Sequence, residues 1–200
     1  MSSEPERTLE VVFVCTGNRA RSPLAEALFR RYSTSAGVQV QVASFGTMEV
    51  GPLPPLPLAV ESGRELGVDL TGHRARAFRR GDLASTDLVL GFEPFHVFSA
   101  VIDGSAHPGR AFLLGEFAVL LETHGAEATD VRARGLIAAV DSRRVRSRPD
   151  PSAQVVADPL GKPVEVMART ATEIDRLVRR LAVVLAPPDE KHVDVRPPHS

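Results

Sequence analysis

The chain has 200 residues, 43% of them hydrophobic, which suits one domain with a filled core, and its net charge of −1 supplies no field toward nucleic acid or membrane. No apolar run approaches the roughly 20 residues of a membrane span, and the polar opening MSSEPERTLE does not read as a secretory signal. Its single cysteine, Cys15, excludes an internal disulfide and a thiolate metal site, so no metal or cofactor is expected and the default location is cytoplasmic.

Residues 1–8 read as a flexible lead-in. Val11-Val12-Phe13-Val14 is a short apolar run of the kind buried on both faces of a parallel sheet. It stops at Cys15-Thr16-Gly17-Asn18, after which Ser22-Pro23 reads as N-cap and first helical residue. Leu24, Leu28 and Tyr32 follow at helical spacing, with Ala25 and Phe29 on the same face. Val38, Val40 and Val42 alternate with glutamines, the period of a half-solvated edge strand.

The Pro-rich GPLPPLPLA leads into a short helix that ends at Leu66-Gly67. Residues 87–90 predict the third strand, Glu93-Pro94 the start of a helix, and residues 111–114 the fourth strand. One or two helices are expected over 116–140, then a polar loop over about 141–164, long enough to suggest function. Ile174, Leu177, Val178, Leu181 and Leu185 mark the last helix. Residues 187–200 read as a disordered tail, which leaves a single catalytic domain over 9–186. Strands alternating with helices predict an α/β fold, a doubly wound four-stranded parallel sheet with helices on both faces. Ligands of such sheets bind beyond the carboxyl ends of the strands, where Cys15 falls.

From Cys15 to Ser22 the chain reads CTGNRARS: a cysteine, five residues, an arginine and a hydroxyl. A tight turn from strand to helix aims backbone N–H groups of Thr16, Gly17, Asn18, Arg19 and Ala20 at one centre, where the helix dipole also favours an anion. Gly17 and Asn18 tolerate the positive φ that such a turn requires. Arg21 offers a planar fork for two phosphate oxygens. The same field favours the thiolate of Cys15, and Ser22 can donate a proton to the sulfur. A nucleophilic cysteine in a phosphate-binding loop is the reading these parts share.

VVFVCTGNRARSPLAEALFR resembles the opening of the low-molecular-weight protein tyrosine phosphatases, a family that includes thiol-coupled arsenate reductases. SFGT (44–47), GVDLTGHRAR (67–76), TDLVLGF (86–92) and AFLLGEF (111–117) extend the resemblance in order over about residues 9–186. It implies the three-layer fold of that family and an Asp-Pro acid on the loop before the last helix. Asp150-Pro151 and Asp158-Pro159 both qualify; Asp158 has the family's spacing from the last helix and follows the apolar Val155-Val156, so it is preferred. The resemblance also implies that Ser44 and His73 hydrogen-bond Asn18 and hold the loop in shape. His96 has no partner that the sequence reveals and reads as structural. Arg143, Arg144, Arg146 and Arg148 read as a solvated face, with a substrate-attracting rim as the sharper alternative; no aromatic platform for nucleic acid accompanies them.

The chain departs from the family's pattern at three places. Leu160-Gly161 follows the Asp-Pro where tyrosine-specific members carry aromatics, and Met48 or Glu49 stands at the opposite wall. Ala20 replaces a second loop cysteine found in many relatives, so oxidised Cys15 would need an external thiol. The leading reading is a metal-independent phosphatase in which Cys15, Arg21 and Asp158 act on a phosphorylated protein or a small phosphate ester. The rivals are an arsenate reductase coupled to a small-molecule thiol and a phosphate-binding module with little turnover.

Overall fold

The computed structural model describes residues 8–124, 133–147 and 154–185. The lead-in expected over 1–8 (Thr8 apart), the tail over 187–200, Asp150-Pro151 and Arg148 lie outside those residues, and no side-chain detail is described for Arg146. The order of elements is β1 (Leu9–Cys15), α1 (Arg21–Ser35), β2 (Val40–Gly46), α2 (Pro57–Glu65), β3 (Leu88–Gly91), α3 (Pro94–Ile102), β4 (Ala111–Leu113), α4 (Leu114–His124), α5 (Ala133–Ser147) and α6 (Val164–Val184). All neighbouring strands are parallel, in the order β2-β1-β3-β4. Of the valine and glutamine alternation, Val40 to Val42 sits in the edge strand β2, and Val38 and Gln39 precede it.

The pleat of β1 sends alternate residues into two cores. Leu9, Val11 and Phe13 join the larger one, beneath α1, α2, α4, α5 and α6, with Phe13 edge-on to Phe29 at 5.7 Å. Val12 and Val14 join Val89, Ala100 and Ala111 on the other face, which α3 covers. Ile174, Leu177, Val178 and Leu181 of α6, and Leu185 just after it, are all buried. Among the described residues no helix is long and apolar enough to cross a membrane.

Two local expectations are corrected. The first concerns the loop expected from 141, because α5 runs on to Ser147. Arg144 explains the extension: it bonds the carbonyls of Ala111 (2.7 Å) and Pro108 (2.9 Å), pairs with Asp141 and stacks on Phe112. These contacts dock the helix at the amino end of β4, opposite the end of the sheet where Cys15 lies, so Arg144 is no part of a rim around the cysteine loop. The second concerns Ser22, which is not the N-cap. The helix begins at Arg21, Ala20 is the cap residue, and no side chain caps it.

Because β1 connects first to β2 on one side and the chain then returns to β3 on the other, the direction of winding reverses between β1 and β3. Cys15 ends one of these strands, and Phe92 and Glu93 follow the other. This is the crevice where doubly wound sheets bind ligands.

Candidate active site

The Cys15 thiol is buried at the carboxyl end of β1, its sulfur 3.0 Å from Ser22 Oγ. Ser22 Oγ accepts an N–H from Asn18 Nδ2 at 2.9 Å, which leaves its single proton for the sulfur or for the more distant Phe45 carbonyl at 3.4 Å. The hydroxyl read from sequence as a helix cap therefore sits between the thiol and Asn18 instead. With no side-chain cap, the first-turn N–H groups of α1 remain available to an anion.

The turn takes its shape at Asn18, the loop residue with a left-handed backbone (φ 52°); Gly17 does not adopt positive φ. Asn18 is fully buried and almost saturated with hydrogen bonds. Its Nδ2 donates to Ser22 and to Ser44 Oγ (2.9 Å), its Oδ1 accepts the Arg76 N–H (3.0 Å), and its carbonyl accepts from His73 Nε2 (2.9 Å). Ser44 in turn donates to Glu26 Oε2 at 2.6 Å. Two sequence-distant segments thus converge on Asn18, Ser44 and the Arg76 N–H on its side chain and His73 on its backbone carbonyl.

Gly46 is a supporting residue that the sequence reading passed over. A Cβ there would lie 2.7 Å from the Thr16 carbonyl oxygen and 3.2 Å from Asn18 N, so only glycine lets the β2 end back the loop this closely. The next residues clamp it further: Thr47 N–H donates to the Cys15 carbonyl (2.9 Å) and Met48 N–H to that of Thr16 (3.0 Å). Arg19 faces outward, its Nε on the Pro54 carbonyl at 2.8 Å.

Arg21 is buried and reaches across the crevice. NH1 donates to Glu93 Oε2 (2.8 Å) and to the Val156 carbonyl (3.1 Å), and NH2 lies 3.3 Å from Asp158 Oδ2. The loop carrying Asp158 is pinned on both sides, by the Val156 N–H on the Phe92 carbonyl (3.0 Å) and by Thr170 Oγ1 on the Ala157 carbonyl (3.3 Å). Asp158 itself stays partly exposed, its other oxygen accepting the Leu160 N–H at 3.2 Å. Arg21, at the end of the cysteine loop, and Asp158 therefore meet across the crevice. Leu160 (64% exposed) and Met48 (54% exposed) project as aliphatic side chains from the loops beside it.

Glu93 and His96 are the residues that sequence reasoning missed in this region. His96, buried on α3, accepts backbone N–H groups of Glu93 (3.1 Å) and Phe92 (3.3 Å) at Nδ1. The proton must then sit on Nε2, which donates to Thr16 Oγ1 at 3.0 Å. Burial, reinforced by the Arg21 charge, lowers the His96 pKa to about 4, and Glu93 and Asp158 oppose that shift only in part. A Glu-Pro helix start followed by His at the third helical position was the available signal, since Glu93 and His96 form a reciprocal capping box.

The family model described as low molecular weight phosphotyrosine protein phosphatase matches residues 10–133. The chain belongs to that family. It is a cysteine-dependent phosphatase of the protein-tyrosine-phosphatase type. Among curated relatives, the protein-arginine-phosphatase of Bacillus subtilis is 27% identical over 174 residues, 87% of this chain and 95% of that one. A probable low molecular weight protein-tyrosine-phosphatase of Ralstonia nicotianae is 34% identical over 116 residues, 53% of this chain and 70% of that one. Among solved structures, the low molecular weight protein tyrosine phosphatase of T. tengcongensis superposes with a TM-score of 0.65 at 30% identity, covering 87% of this chain and 97% of the other. The arginine phosphatase YwlE, as a cysteine-to-serine mutant with a phosphorylated active-site serine, gives 0.64 at 27% identity, covering 87% and 93%.

Proposed function

We propose that the chain dephosphorylates phosphoproteins in two covalent steps, with Cys15 as nucleophile, Arg21 and the loop amides as the phosphoryl cradle, and Asp158 as general acid and base. The observation that carries this reading is the contact of Arg21 with Asp158, which supports a shared site for the Asp158 loop and the loop that ends at Arg21. In the first step the thiolate attacks phosphorus, the P–O ester bond breaks, and protonated Asp158 gives its proton to the leaving oxygen. In the second, the Asp158 carboxylate takes a proton from water, the hydroxide displaces sulfur, and phosphate leaves with the thiolate restored. The charge that spreads over the equatorial oxygens is met by Arg21 and by the uncapped N–H groups at the start of α1. Ser22, with one proton available to the sulfur, stabilises the thiolate as the leaving group of the second step.

Phosphotyrosine is the first substrate on this reading, by family. A second, phosphoarginine, whose P–N bond would break in the same first step with Asp158 giving its proton to the leaving guanidine nitrogen, is favoured by the aliphatic Leu160 and Met48 beside the centre and by the near full-length similarity to an arginine phosphatase. A cytoplasmic setting is part of the proposal, because an unpaired thiolate nucleophile works in a reducing compartment.

Steady-state turnover of an aryl phosphate, phosphotyrosine and phosphoarginine peptides, and arsenate tests these points with wild type, Cys15→Ser and Asp158→Ala. Loss of all phosphatase activity in Cys15→Ser with phosphate binding retained supports the mechanism. Activity that survives in Cys15→Ser refutes it, and arsenate-dependent thiol oxidation at a comparable rate would transfer the assignment to the reductase reading.

A further inference from the structure

The outer face of α3 carries Phe95, Phe98 and Ile102, which are 59%, 60% and 58% exposed. They stand at i, i+3 and i+7, so they form one stripe, roughly 10 Å long at 1.5 Å per residue. The helix holds no acidic or basic side chain apart from His96, which is buried and neutral; its inward face, with Val97, Ala100 and Val101, already fills the smaller core. The stripe is therefore surplus to folding.

Its position gives it a direction. Phe95 lies between Glu93, which holds Arg21, and His96, which holds Thr16, so the stripe starts at the cysteine loop. Three more of the nine large apolar side chains exposed among the described residues, Met48, Leu53 and Leu160, sit on segments bonded to that loop or to Asp158. Exposed apolar surface thus gathers around the mouth of the site and runs from it down one helix.

We infer that the α3 stripe docks an apolar segment of the phosphoprotein substrate, a few residues from the phosphorylated side chain. The inference rests on the phosphatase mechanism proposed above. The alternative occupant, a second copy of this chain, fits less well. Large side chains bury about 150–250 Å² each, so three that are partly exposed offer about 300–400 Å², against about 800 Å² per partner in a stable interface. An area of that size suits transient engagement of a segment whose phosphoryl group is held next door. An extended peptide advances roughly 3.3 Å per residue, so three or four residues cover the stripe.

The test compares phosphotyrosine peptides that carry Leu-Val-Leu two to five residues before or after the phosphotyrosine with peptides carrying Ser-Gly-Ser there. Phosphoarginine counterparts form a parallel series, and an aryl phosphate reports the bare chemistry. Wild type should favour one apolar-flanked peptide by about tenfold in kcat/KM, the weight of one or two partly buried apolar side chains. Phe98→Ser with Ile102→Ser should remove that preference and leave aryl phosphate turnover unchanged. Val183→Ser, an equally exposed position on α6, should keep it. Absence of a flank preference in wild type, or its survival in the double variant, overturns the docking surface. So does a double variant whose only change is loss of a dimer in sedimentation. Failure of the parent mechanism registers separately, as aryl phosphate hydrolysis that does not depend on Cys15.

Discussion

The imidazole of His96 holds the Thr16 hydroxyl at 3.0 Å, joining α3 to the cysteine loop across 80 positions of sequence. Because Nδ1 accepts two backbone N–H groups, Nε2 is the donor, and the Thr16 hydroxyl keeps its own proton for a phosphoryl oxygen. His96→Gln, which can accept and donate at comparable positions, should retain most activity, whereas His96→Phe should lower kcat/KM by about tenfold, the order of one lost positioning hydrogen bond in a dry site. Nitrogen NMR of the imidazole should report the neutral ring with its proton on Nε2 at pH 6, and a protonated ring at that pH would refute the assignment.

The same histidine makes stability depend on pH. Its pKa in the folded chain is about 4, below the ordinary value of 6.5. Between those values the unfolded chain binds a proton that the folded one refuses, so folding stability falls as pH drops from 6.5 toward 4, by at most about 3 kcal/mol. Urea melts across that window should show a shallower slope for His96→Gln than for wild type. Identical slopes would mean that His96 is not the group responsible.

Asp158 is expected to matter in proportion to how badly the leaving oxygen needs a proton. Asp158→Asn should cost about 10²–10⁴ in kcat for phosphotyrosine peptide, and far less for an aryl phosphate with a strongly acidic phenol. Equal losses on both would argue against an acid role.

Gly46 has no room for a side chain, with the Thr16 carbonyl 2.7 Å from where a Cβ would stand. Gly46→Ala should push the β2 end away from the loop, destabilise the chain by about 1–3 kcal/mol, and weaken competitive inhibition by phosphate. Unchanged phosphate inhibition in a folded Gly46→Ala protein would show that the backing is unimportant.

Asn18 separates two contributions, its left-handed backbone and its side-chain hydrogen bonds. Asn18→Gly keeps the first and loses the second; Asn18→Ala loses both. Thermal melts should therefore rank wild type, Asn18→Gly and Asn18→Ala in falling order, with about 1 kcal/mol between the two variants from the backbone alone. A reversed order for the variants would remove backbone strain as the reason for asparagine here.

The parts of the fold and site that could be read from sequence are those whose signal is local. The run Val11–Val14, the spacing through α6 and the left-handed Gly67 (φ 77°) ending α2 each lie within one element. CTGNRARS was legible because its parts follow one another in one short turn. Glu93 and His96 were not, because their partners Arg21 and Thr16 lie 72 and 80 positions away and periodicity carries no trace of such pairs. Ser22 misled for a related reason: Ser-Pro is sound capping chemistry, but the thiol and Asn18 compete for the same hydroxyl and win. At α5, polarity suggested a loop, while Arg144 found carbonyls and an aromatic face on which to settle.

Arg21 makes contact with Glu93 and with the Val156 carbonyl, 72 and 135 residues further along. During synthesis the cysteine loop thus leaves the ribosome early and waits through most of translation for the groups that orient its arginine. Until the segment around Val156 and Asp158 has emerged and docked, a nascent chain holds the cysteine loop without two of the groups that Arg21 contacts. A protein truncated before that segment should therefore lack the Val156 and Asp158 contacts that orient Arg21, and its turnover of phosphotyrosine peptide should fall far more than its turnover of an aryl phosphate with a strongly acidic phenol.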